Sequence, residues 1–429
     1  MTLSFINRKR ELKEIDLLSK RGGLLVLFGR RRVGKTRLLI HWLEKRGGFK
    51  NRKFYSQAIE GVRELQISQL YSDLVSQLAT SIVPKSWSEV FEIIELQKGP
   101  VTLCIDEFPY LVNSDSSLPS LLQRWLDHSK KKDLFVILAG SSTRMMHNLF
   151  LNRSAPLYGR AAKLLHVQQM SYNDFCNAVG LSAAQPDSFL KFSFVGGVPK
   201  YWEFVSKGQG ALESAEDLYF NFAPYMQMEP RRVLKDEGLD DLNPLSILEA
   251  IGRGVNRPSE IAARMGTKQT NLSRVLQLLL DNEIIQREIP FGDSEKSGKR
   301  GIYTIGDPAL RFWYRVFSPH QSQWRQFSDS QKIRHLGEHA STVFEDYCRK
   351  LFPGAKRYWE KDLEFDIVRY EDISRSKTSV VVSEVKWRRC SKSEQASILR
   401  ELQNKWKRSQ LAKRFKEVRF EVLDQKALT

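Results

Sequence analysis

The sequence lacks the long apolar segments that would carry a protein across a membrane. Hydrophobic residues make up 41% of its 429 residues, yet no apolar run approaches the roughly 18 to 20 residues that span a bilayer. The first ten residues become charged within a few positions, and no small-residue cleavage site follows them. We therefore expect a cytoplasmic protein with no membrane partner.

Cysteine is scarce as well, with only four residues, at positions 104, 176, 348 and 390. They lie too far apart along the chain to form a metal-ligand motif or a disulfide framework. We expect four free thiols. The length exceeds what a single hydrophobic core usually serves, which predicts two to three domains.

Acidic residues are outnumbered by basic ones, with 50 Asp and Glu against 68 Lys and Arg. The formal net charge is +18 and the isoelectric point is near 9.6. This balance favours a polyanionic partner, and DNA is the leading candidate. The alternative is a solvated basic surface that serves solubility.

A glycine-rich loop follows a predicted strand near the N-terminus. Residues 22–28 form a turn and a short apolar run typical of a buried parallel strand, and residues 36–43 have helical apolar spacing. Between them the chain reads Gly29-Arg30-Arg31-Arg32-Val33-Gly34-Lys35-Thr36. This is a complete P-loop, whose amides cradle phosphates, with Lys35 on the β- and γ-phosphates and the Thr36 hydroxyl on Mg²⁺. The eight residues therefore predict a site for ATP and Mg²⁺.

Two further strand ends carry polar residues suited to phosphate chemistry. The apolar run 101–105 ends in Asp106 and Glu107, which would hold Mg²⁺ and polarise the attacking water, respectively. The run 134–139 leads to Ser141, a candidate sensor of the γ-phosphate. An exposed acidic turn and ordinary turn chemistry are the respective alternatives.

Strands and helices alternate through this region, which predicts a parallel sheet with helices on both faces. An apolar stripe with helical spacing supports core packing by one of these helices. The stripe consists of Ile67, Leu70, Leu74 and Leu78.

Several motifs in the first half of the chain resemble the archaeal-type ATPase family, a STAND-like branch of the AAA+ P-loop ATPases. They are residues 5–12, the Pro-Leu-Tyr-Gly-Arg segment 156–160, and the Gly-Gly-Val-Pro segment within 196–201. The resemblance implies that Arg160 acts as an arginine finger and that Pro199 places a helical lid against the nucleotide. A surface ion pair and a simple helix break are the alternatives.

Residues 243–305 have the pattern of a winged helix, a fold that commonly contacts DNA. Three helices are predicted over 243–252, 258–265 and 267–280, followed by wing strands over 284–289 and 301–305. The third helix would present a polar face to a major groove, formed by Lys268, Gln269, Asn271 and Arg274. The wing loop would contact phosphates through Lys296, Lys299 and Arg300. A protein-docking or interdomain role is the alternative.

The segment 307–314 resembles the junction at which the same family continues into a domain related to PD-(D/E)XK nucleases. By this resemblance Asp366 and Glu384 bind Mg²⁺, Lys386 polarises the attacking water, and Glu345 is an outer metal ligand. Strand alternation places Glu384 and Lys386 on one face. The alternative is that these carboxylates serve only the fold. The Pro of the name motif is absent here, as is common in the superfamily.

Basic segments with tryptophan follow, at residues 386–389 and 405–416. We expect both to be helical and to suit contact with a nucleic-acid backbone. A solvated helical face is the alternative.

These observations predict an α/β protein with a P-loop ATPase core at 1–170, a helical lid at 171–240, a winged helix at 241–308 and a restriction-endonuclease-like domain at 309–429. The expected function is an ATP-binding and ATP-hydrolysing switch that engages DNA and cleaves it. The alternative is a regulatory or scaffold protein that binds ATP and its partners without cleavage. An arginine finger acting between chains would require a homo-oligomer.

Overall fold

The computed structural model describes residues 3–45, 52–78, 83–239, 242–294, 300–372 and 376–428. The chain forms two compact units. The first contains the residues up to Met170 together with Val198–Lys200, and the second contains Ser171–Gly197 and the residues from Tyr201 onward. The expected α/β class is confirmed, whereas the division into four domains remains a prediction.

The first unit is a parallel sheet covered by helices. Its strands are β1 Gly23–Phe28, β2 Arg52–Gln57, β3 Val101–Asp106, β4 Leu134–Gly140 and β5 Ala161–His166. Its helices are α1 Lys9–Ser19, α2 Lys35–Lys45, α3 Arg63–Leu74, α4 Trp87–Glu95, α5 Phe108–Ser114, α6 Leu118–His128 and α7 Thr143–Phe150. The strand order is β2-β3-β4-β1-β5, and all neighbouring pairs are parallel.

The central strand β1 is buried on both faces, as its continuous apolar sequence predicts. Leu24 and Val26 belong to one core, shared with α3, α4 and α6. Leu25 and Leu27 belong to the opposite core, shared with α1 and α2. Because successive side chains of a strand point to opposite faces, one apolar run supports two layers of helices.

The predicted apolar stripe is confirmed as core, but its helix is shorter than expected. Ile67, Leu70 and Leu74 are buried on α3, which ends at Leu74. A 3₁₀ turn follows, and Leu78 is already extended, although it still packs against the core.

The second unit begins with a largely helical region. Its elements are α8 Tyr172–Val179, α9 Pro186–Val195, α10 Pro199–Trp202, α11 Ala211–Ala215, a π-helical turn Glu216–Phe220, a 3₁₀ turn Tyr225–Met228, and α12 Glu229–Asp236. The first two residues of α10 belong to the first unit.

A three-helix module with a hairpin comes next. It consists of α13 Leu242–Gly252, α14 Pro258–Arg264, α15 Gln269–Asp281, β6 Ile285–Glu288 and β7 Ile302–Ile305. The two strands pair in antiparallel fashion. On α15, Leu272, Leu276 and Leu279 point into the core of the module. All five elements lie within two residues of their predicted bounds.

The C-terminal region contains a four-stranded sheet. Its elements are α16 Pro308–Phe312, a π-helical turn Trp313–Phe317, α17 Ser318–His320, a 3₁₀ turn Trp324–Gln326, α18 Asp329–Lys350, β8 Lys356–Glu360, β9 Leu363–Asp372, β10 Ser376–Val385, α19 Lys392–Arg408, α20 Leu411–Arg414, β11 Glu417–Leu423 and a 3₁₀ turn Gln425–Leu428. The sheet order is β11-β10-β9-β8. Strand β10 is antiparallel to β9 and parallel to β11, which needs the crossover helix α19.

The predicted helicity of residues 386–389 is wrong. These residues form a bend after β10, and α19 starts only after Ser391, whose hydroxyl and Glu394 form a capping box. The tryptophans of both basic segments pack inside the protein. Trp406 is buried, and Trp387 contacts the rings of Phe189 and Phe344. The tryptophans therefore do not form an exposed stacking surface.

The four cysteines are buried free thiols, as expected. Within the described ranges, none of the helices combines the length and the hydropathy that crossing a bilayer requires.

Helix α9 packs against four other helices of the second unit, namely α8, α11, α16 and α18. Its Phe189 contacts Phe344 of α18 with ring centroids 5.4 Å apart. His339 of α18 is fully buried, and its Nε2 lies 2.8 Å from the carbonyl oxygen of Ser193. Burial, and to a lesser extent the charges of Arg311 and Arg315, lower the pKa of His339 to about 3. The imidazole is therefore neutral in the folded protein.

We expect this buried histidine to make the protein sensitive to acid. In the unfolded chain His339 becomes protonated below about pH 6.5, whereas in the folded protein it stays neutral down to about pH 3. The contribution of His339 to the free energy of unfolding should fall by about 1.4 kcal/mol per pH unit in this window. His339→Gln, which cannot be protonated, should flatten the fall of the urea midpoint on acidification. The exposed His128→Gln is the control, and equal slopes for wild type and His339→Gln would contradict the assignment.

Candidate functional site

The P-loop follows β1 and ends in α2, and its two glycines are required by its shape. Gly29 has φ +148°, and a Cβ there would lie 2.3 Å from the carbonyl oxygen of Val167. Gly34 has φ +98°, with open space where a Cβ would point. Glycine is the residue that adopts such angles without strain. The loop thus leaves room on its inner side for a ligand.

The remaining loop residues attach the P-loop to the rest of the unit. Val33 is buried in the core with α1, and Arg30 is buried as well. Arg32 has a left-handed φ of 66°. Arg8, which lies in the N-terminal motif, donates to the carbonyl oxygens of Val33 at 2.7 Å and Gln168 at 2.9 Å. Arg8 of the N-terminal motif therefore holds the P-loop in place through two hydrogen bonds. No local sequence pattern predicted this role.

Lys35 lies inside the loop that it terminates. Its ammonium donates to the carbonyl oxygens of Gly29 at 2.8 Å and Arg30 at 3.0 Å, and the side chain is buried. The predicted phosphate-binding lysine is thus held at the mouth of the loop.

Thr36 and Asp106 meet as the sequence predicts. The Thr36 hydroxyl donates to Asp106 Oδ2 at 2.6 Å, and Tyr55 donates to the same oxygen at 3.3 Å. Burial raises the pKa of Asp106, although the hydrogen bond from Thr36 acts in the opposite direction. A hydroxyl and a carboxylate side by side form an oxygen donor set that fits Mg²⁺.

Glu107 and Ser141 also lie together. Glu107 has a left-handed φ of 54° at the start of α5. Its Oε2 accepts hydrogen bonds from the hydroxyl of Ser141 at 2.6 Å and from its amide at 3.3 Å. Strained backbone conformations of this kind are common at functional sites.

The side chain of Arg31 joins this pair, which the P-loop pattern did not predict. Its Nε donates to the Ser141 hydroxyl at 3.3 Å, and its Nη2 donates to the hydroxyl of Tyr110. Tyr110 lies on the first turn of α5, three residues after Glu107. The only signal in the sequence was the run of three arginines between the glycines.

Arg160 lies away from the P-loop of its own chain. Strand β5 is parallel to β1, with Ala161 opposite Leu24 and His166 opposite Phe28. Arg160 directly precedes β5, so it is at the other edge of the sheet, on the order of 15 Å from the loop. Its guanidinium binds Asp127 through Nε at 3.3 Å and Nη2 at 3.1 Å. A role as an arginine finger would therefore require a second copy of the chain.

Pro199 begins the short helix α10 and is grouped with the first unit. The preceding Gly196 has φ +60°, and its carbonyl oxygen accepts a hydrogen bond from Trp202 at 2.8 Å. The segment is a sharp bend, and contact of Pro199 with nucleotide remains a prediction.

The C-terminal carboxylates cluster near the ends of α18, β9 and β10. Val385 donates its amide to Asp366 at 2.8 Å, and Lys386 Nζ lies 2.9 Å from Glu384 Oε1. Lys405 of α19, the first residue of the second basic segment, approaches Glu384 Oε2 at 3.7 Å. Thus Glu384 and Lys386 share one face, as alternation predicts.

Electrostatics couple these carboxylates. Burial, followed by the charge of Glu384, raises the pKa of Asp366 to about 6. Burial, followed by the charge of Asp366, raises the pKa of Glu345 to about 7. Burial lowers the pKa of Lys386, but the hydrogen bond to Glu384 and the charge of that carboxylate outweigh burial, so that the pKa of Lys386 is raised. Lys386 is therefore a cation and not a base.

The carboxylates have the right chemistry for Mg²⁺ but are not drawn together around one point. Among the residues that the structure covers, no group of three or more His, Cys, Asp or Glu side chains is arranged to hold a metal ion. Metal ligation by Glu345, Asp366 and Glu384 remains a prediction.

The polar face predicted on the third helix is present. Lys268, Gln269, Asn271 and Arg274 are exposed. Arg300, by contrast, is bound to Asp293 and to the carbonyl oxygen of Trp359, so it is used inside the protein. Lys296 and Lys299 lie outside the described residues.

The parallel sheet, the P-loop and the carboxylates at one edge define a P-loop ATPase. Residues 5–205 match a family described as an ATPase domain predominantly from Archaea. Residues 313–398 match a family of archaeal and bacterial proteins of unknown function. Residues 5–205 are thus similar to this archaeal ATPase domain, which confirms the resemblance seen in the motifs of that region.

Two individual proteins illustrate the likeness. An uncharacterized protein of Methanocaldococcus jannaschii is 27% identical, over 94% of this chain and 92% of that protein. A solved structure of a Walker-type ATPase of Pyrococcus abyssi has a TM-score of 0.53 and 21% identity, and the match covers 73% of this chain and 96% of that chain. The second comparison concerns the fold alone.

We expect Arg31 to position Ser141 and Glu107 for catalysis. Arg31→Ala should lower kcat for ATP hydrolysis roughly tenfold to a hundredfold, because small misplacements of catalytic groups are costly. The Kd for ATP should change little, and Arg31→Lys should restore part of the rate. The exposed Arg124→Ala, measured in the same way, controls for loss of charge. A change in Kd with kcat intact would assign Arg31 to nucleotide binding instead.

Proposed function

We propose that this protein is an ATP-driven switch, in which the nucleotide state of the first unit alters how the second unit engages nucleic acid. The observation that carries the proposal is the assembly of Lys35, the Thr36–Asp106 pair and the Glu107–Ser141 pair at one edge of the sheet. Lys35 is suited to phosphate binding, the Thr36–Asp106 pair to metal coordination, and Glu107 to activation of the attacking water.

The roles follow from the contacts. The loop amides and Lys35 bind the phosphates, while Thr36 and Asp106 hold Mg²⁺. Bound Mg²⁺ supplies charge neutralisation on the β- and γ-phosphates. Glu107 orients the attacking water and polarises it, and Ser141 fixes the position of the Glu107 carboxylate.

Coupling to the second unit would run through the segment around Pro199. Val198–Lys200 is grouped with the ATPase unit, while the residues on either side belong to the second unit. The preceding helix α9 packs against α18, which carries Glu345. A movement of this segment on nucleotide binding would therefore reach the C-terminal carboxylates through packed side chains.

Nucleic acid, and DNA first, is the proposed partner of the second unit. The net charge of +18 and the exposed polar face of α15 support this. An arginine finger at Arg160 would act only in a homo-oligomer, since the residue is at the opposite edge of the sheet from its own P-loop.

ATP turnover by wild type and Glu107→Gln, each with and without DNA, tests the switch. We expect DNA-stimulated turnover by wild type and a loss of at least about a hundredfold in the mutant, comparable to removal of one transition-state contact. ATP binding should survive in Glu107→Gln and fail in Lys35→Ala. Undiminished ATP turnover by Glu107→Gln would contradict the proposed role of Glu107. Wild-type ATP turnover that DNA does not change would contradict the proposed coupling of hydrolysis to nucleic-acid binding.

A second candidate function is Mg²⁺-dependent cleavage of nucleic acid by the C-terminal region. The specific support is the cluster of Asp366, Glu384 and Lys386, in which burial and mutual charge raise the pKa of Asp366. A metal ion would relieve this repulsion, and the Lys386 cation would position the phosphodiester.

A nicking assay with Mg²⁺ and with chelator tests this candidate. We expect cleavage by wild type, and a loss of at least about a hundredfold in Asp366→Asn and Lys386→Ala if a metal-assisted step is removed. The exposed Asp362→Asn serves as the matched control. If wild-type protein cleaves neither single- nor double-stranded DNA or RNA, the nuclease function is contradicted. The alternative of a regulatory protein that binds without cleaving would then be favoured.

A further inference from the structure

A basic cleft lies within the second unit, apart from the exposed face of α15. Two cavities of about 670 and 580 Å³ are lined by the hairpin, α18 and β8, and the second of them also by the end of α13 and the turn after α16. They share Glu288, Asp346, Arg349 and Arg357, so they are continuous. Each volume lies in the range of about 300–1,000 Å³ that is usual for ligand sites.

The lining is strongly positive. Each cavity has five Lys or Arg residues, of which two are shared, so that eight cations line the cleft. Only three lining residues are acidic, namely Glu288, Glu345 and Asp346. A concave surface with this excess of one sign concentrates the field on an anionic ligand.

Most of the arginines have anionic partners within the protein, but Arg315 differs. Arg311 and Arg349 both bind Asp346, at 2.7 and 2.9 Å. Arg315 donates to the hydroxyl of Thr342 at 3.3 Å. No ion pair of Arg315 exists within 4 Å in the part of the chain that the structure describes. Its guanidinium therefore faces the cleft with its charge uncompensated at short range.

The cleft also contains one of the C-terminal carboxylates. Glu345 lines the same cavity as Arg315, and among the described residues its carboxyl group makes no hydrogen bond or ion pair. An anion held by Arg315 would thus lie in the same cavity as Glu345.

We propose that this cleft binds the phosphate backbone of a single nucleic-acid strand, with Arg315 as its principal phosphate ligand. The inference rests on the proposed function and deepens it, because it locates the strand at the hairpin and α18. A single strand suits a cleft that is walled by several elements, whereas a duplex would suit the open face of α15.

Binding of a labelled single-stranded oligonucleotide to the full-length chain, measured by fluorescence anisotropy over a range of salt, tests the proposal. For Arg315→Ala we expect a Kd raised about five- to tenfold and a salt slope smaller by about 0.7, the value for one phosphate contact on a single strand. Arg315→Lys should recover part of the affinity. Arg334→Ala removes an exposed arginine from the same helix, α18, and should bind as wild type does.

The outcomes separate this inference from the proposed function. Wild-type binding that Arg315→Ala leaves unchanged, or that Arg274→Ala on α15 weakens instead, would overturn the cleft while the switch stands. If inorganic triphosphate at equal phosphate concentration displaced the oligonucleotide, the cleft would be a site for free phosphates. That result would contradict the proposal that it binds a nucleic-acid strand. Wild-type protein that binds neither single strand nor duplex at low salt would overturn both.

Discussion

The site in the first unit depends on one geometric constraint, the parallel direction of all five strands. Because parallel strands end at a common edge, the P-loop after β1, Asp106 at the end of β3 and Ser141 after β4 meet although they are far apart in sequence. The same constraint separates Arg160 from them, since that residue stands before β5 and not after it. Strand direction therefore decides which charged residues can act on a nucleotide held by the same chain.

In the second unit, helix α9 lies next in sequence to the segment at which the chain returns to the first unit. The chain enters this unit at Ser171, returns to the first unit for Val198–Lys200, and leaves again at Tyr201. Helix α9 ends immediately before the return, and the neutral His339 of α18 bonds to its Ser193 carbonyl oxygen. Because protein interiors are close-packed, this contact is the physical basis of the proposed coupling between the return segment and α18.

Local signals were enough for much of the architecture. The P-loop, the buried strands and the three-helix module with its hairpin were predicted from residues adjacent in sequence, with glycine, proline and apolar periodicity at the right places. Contacts between distant residues were not predictable in this way, as Arg8 on the P-loop and Arg31 on Ser141 demonstrate. The prediction that the tryptophans of the basic segments contact nucleic acid was wrong for a different reason. Trp387 and Trp406 have the composition of a stacking surface, but burial of their apolar area outweighs exposure, so composition misidentified core residues as contact residues.

At the candidate site of the C-terminal region, the lysine is compensated by a carboxylate, because Lys386 donates to Glu384 at 2.9 Å. A phosphate that approaches Lys386 therefore meets a neutralised ion pair next to Asp366. Attraction of an anion to these carboxylates must come from other charges, either from a metal ion or from nearby cations. The basic cleft, which contains both Arg315 and Glu345, would supply such cations, so that the arginines would offset the repulsion between the carboxylates and an anion.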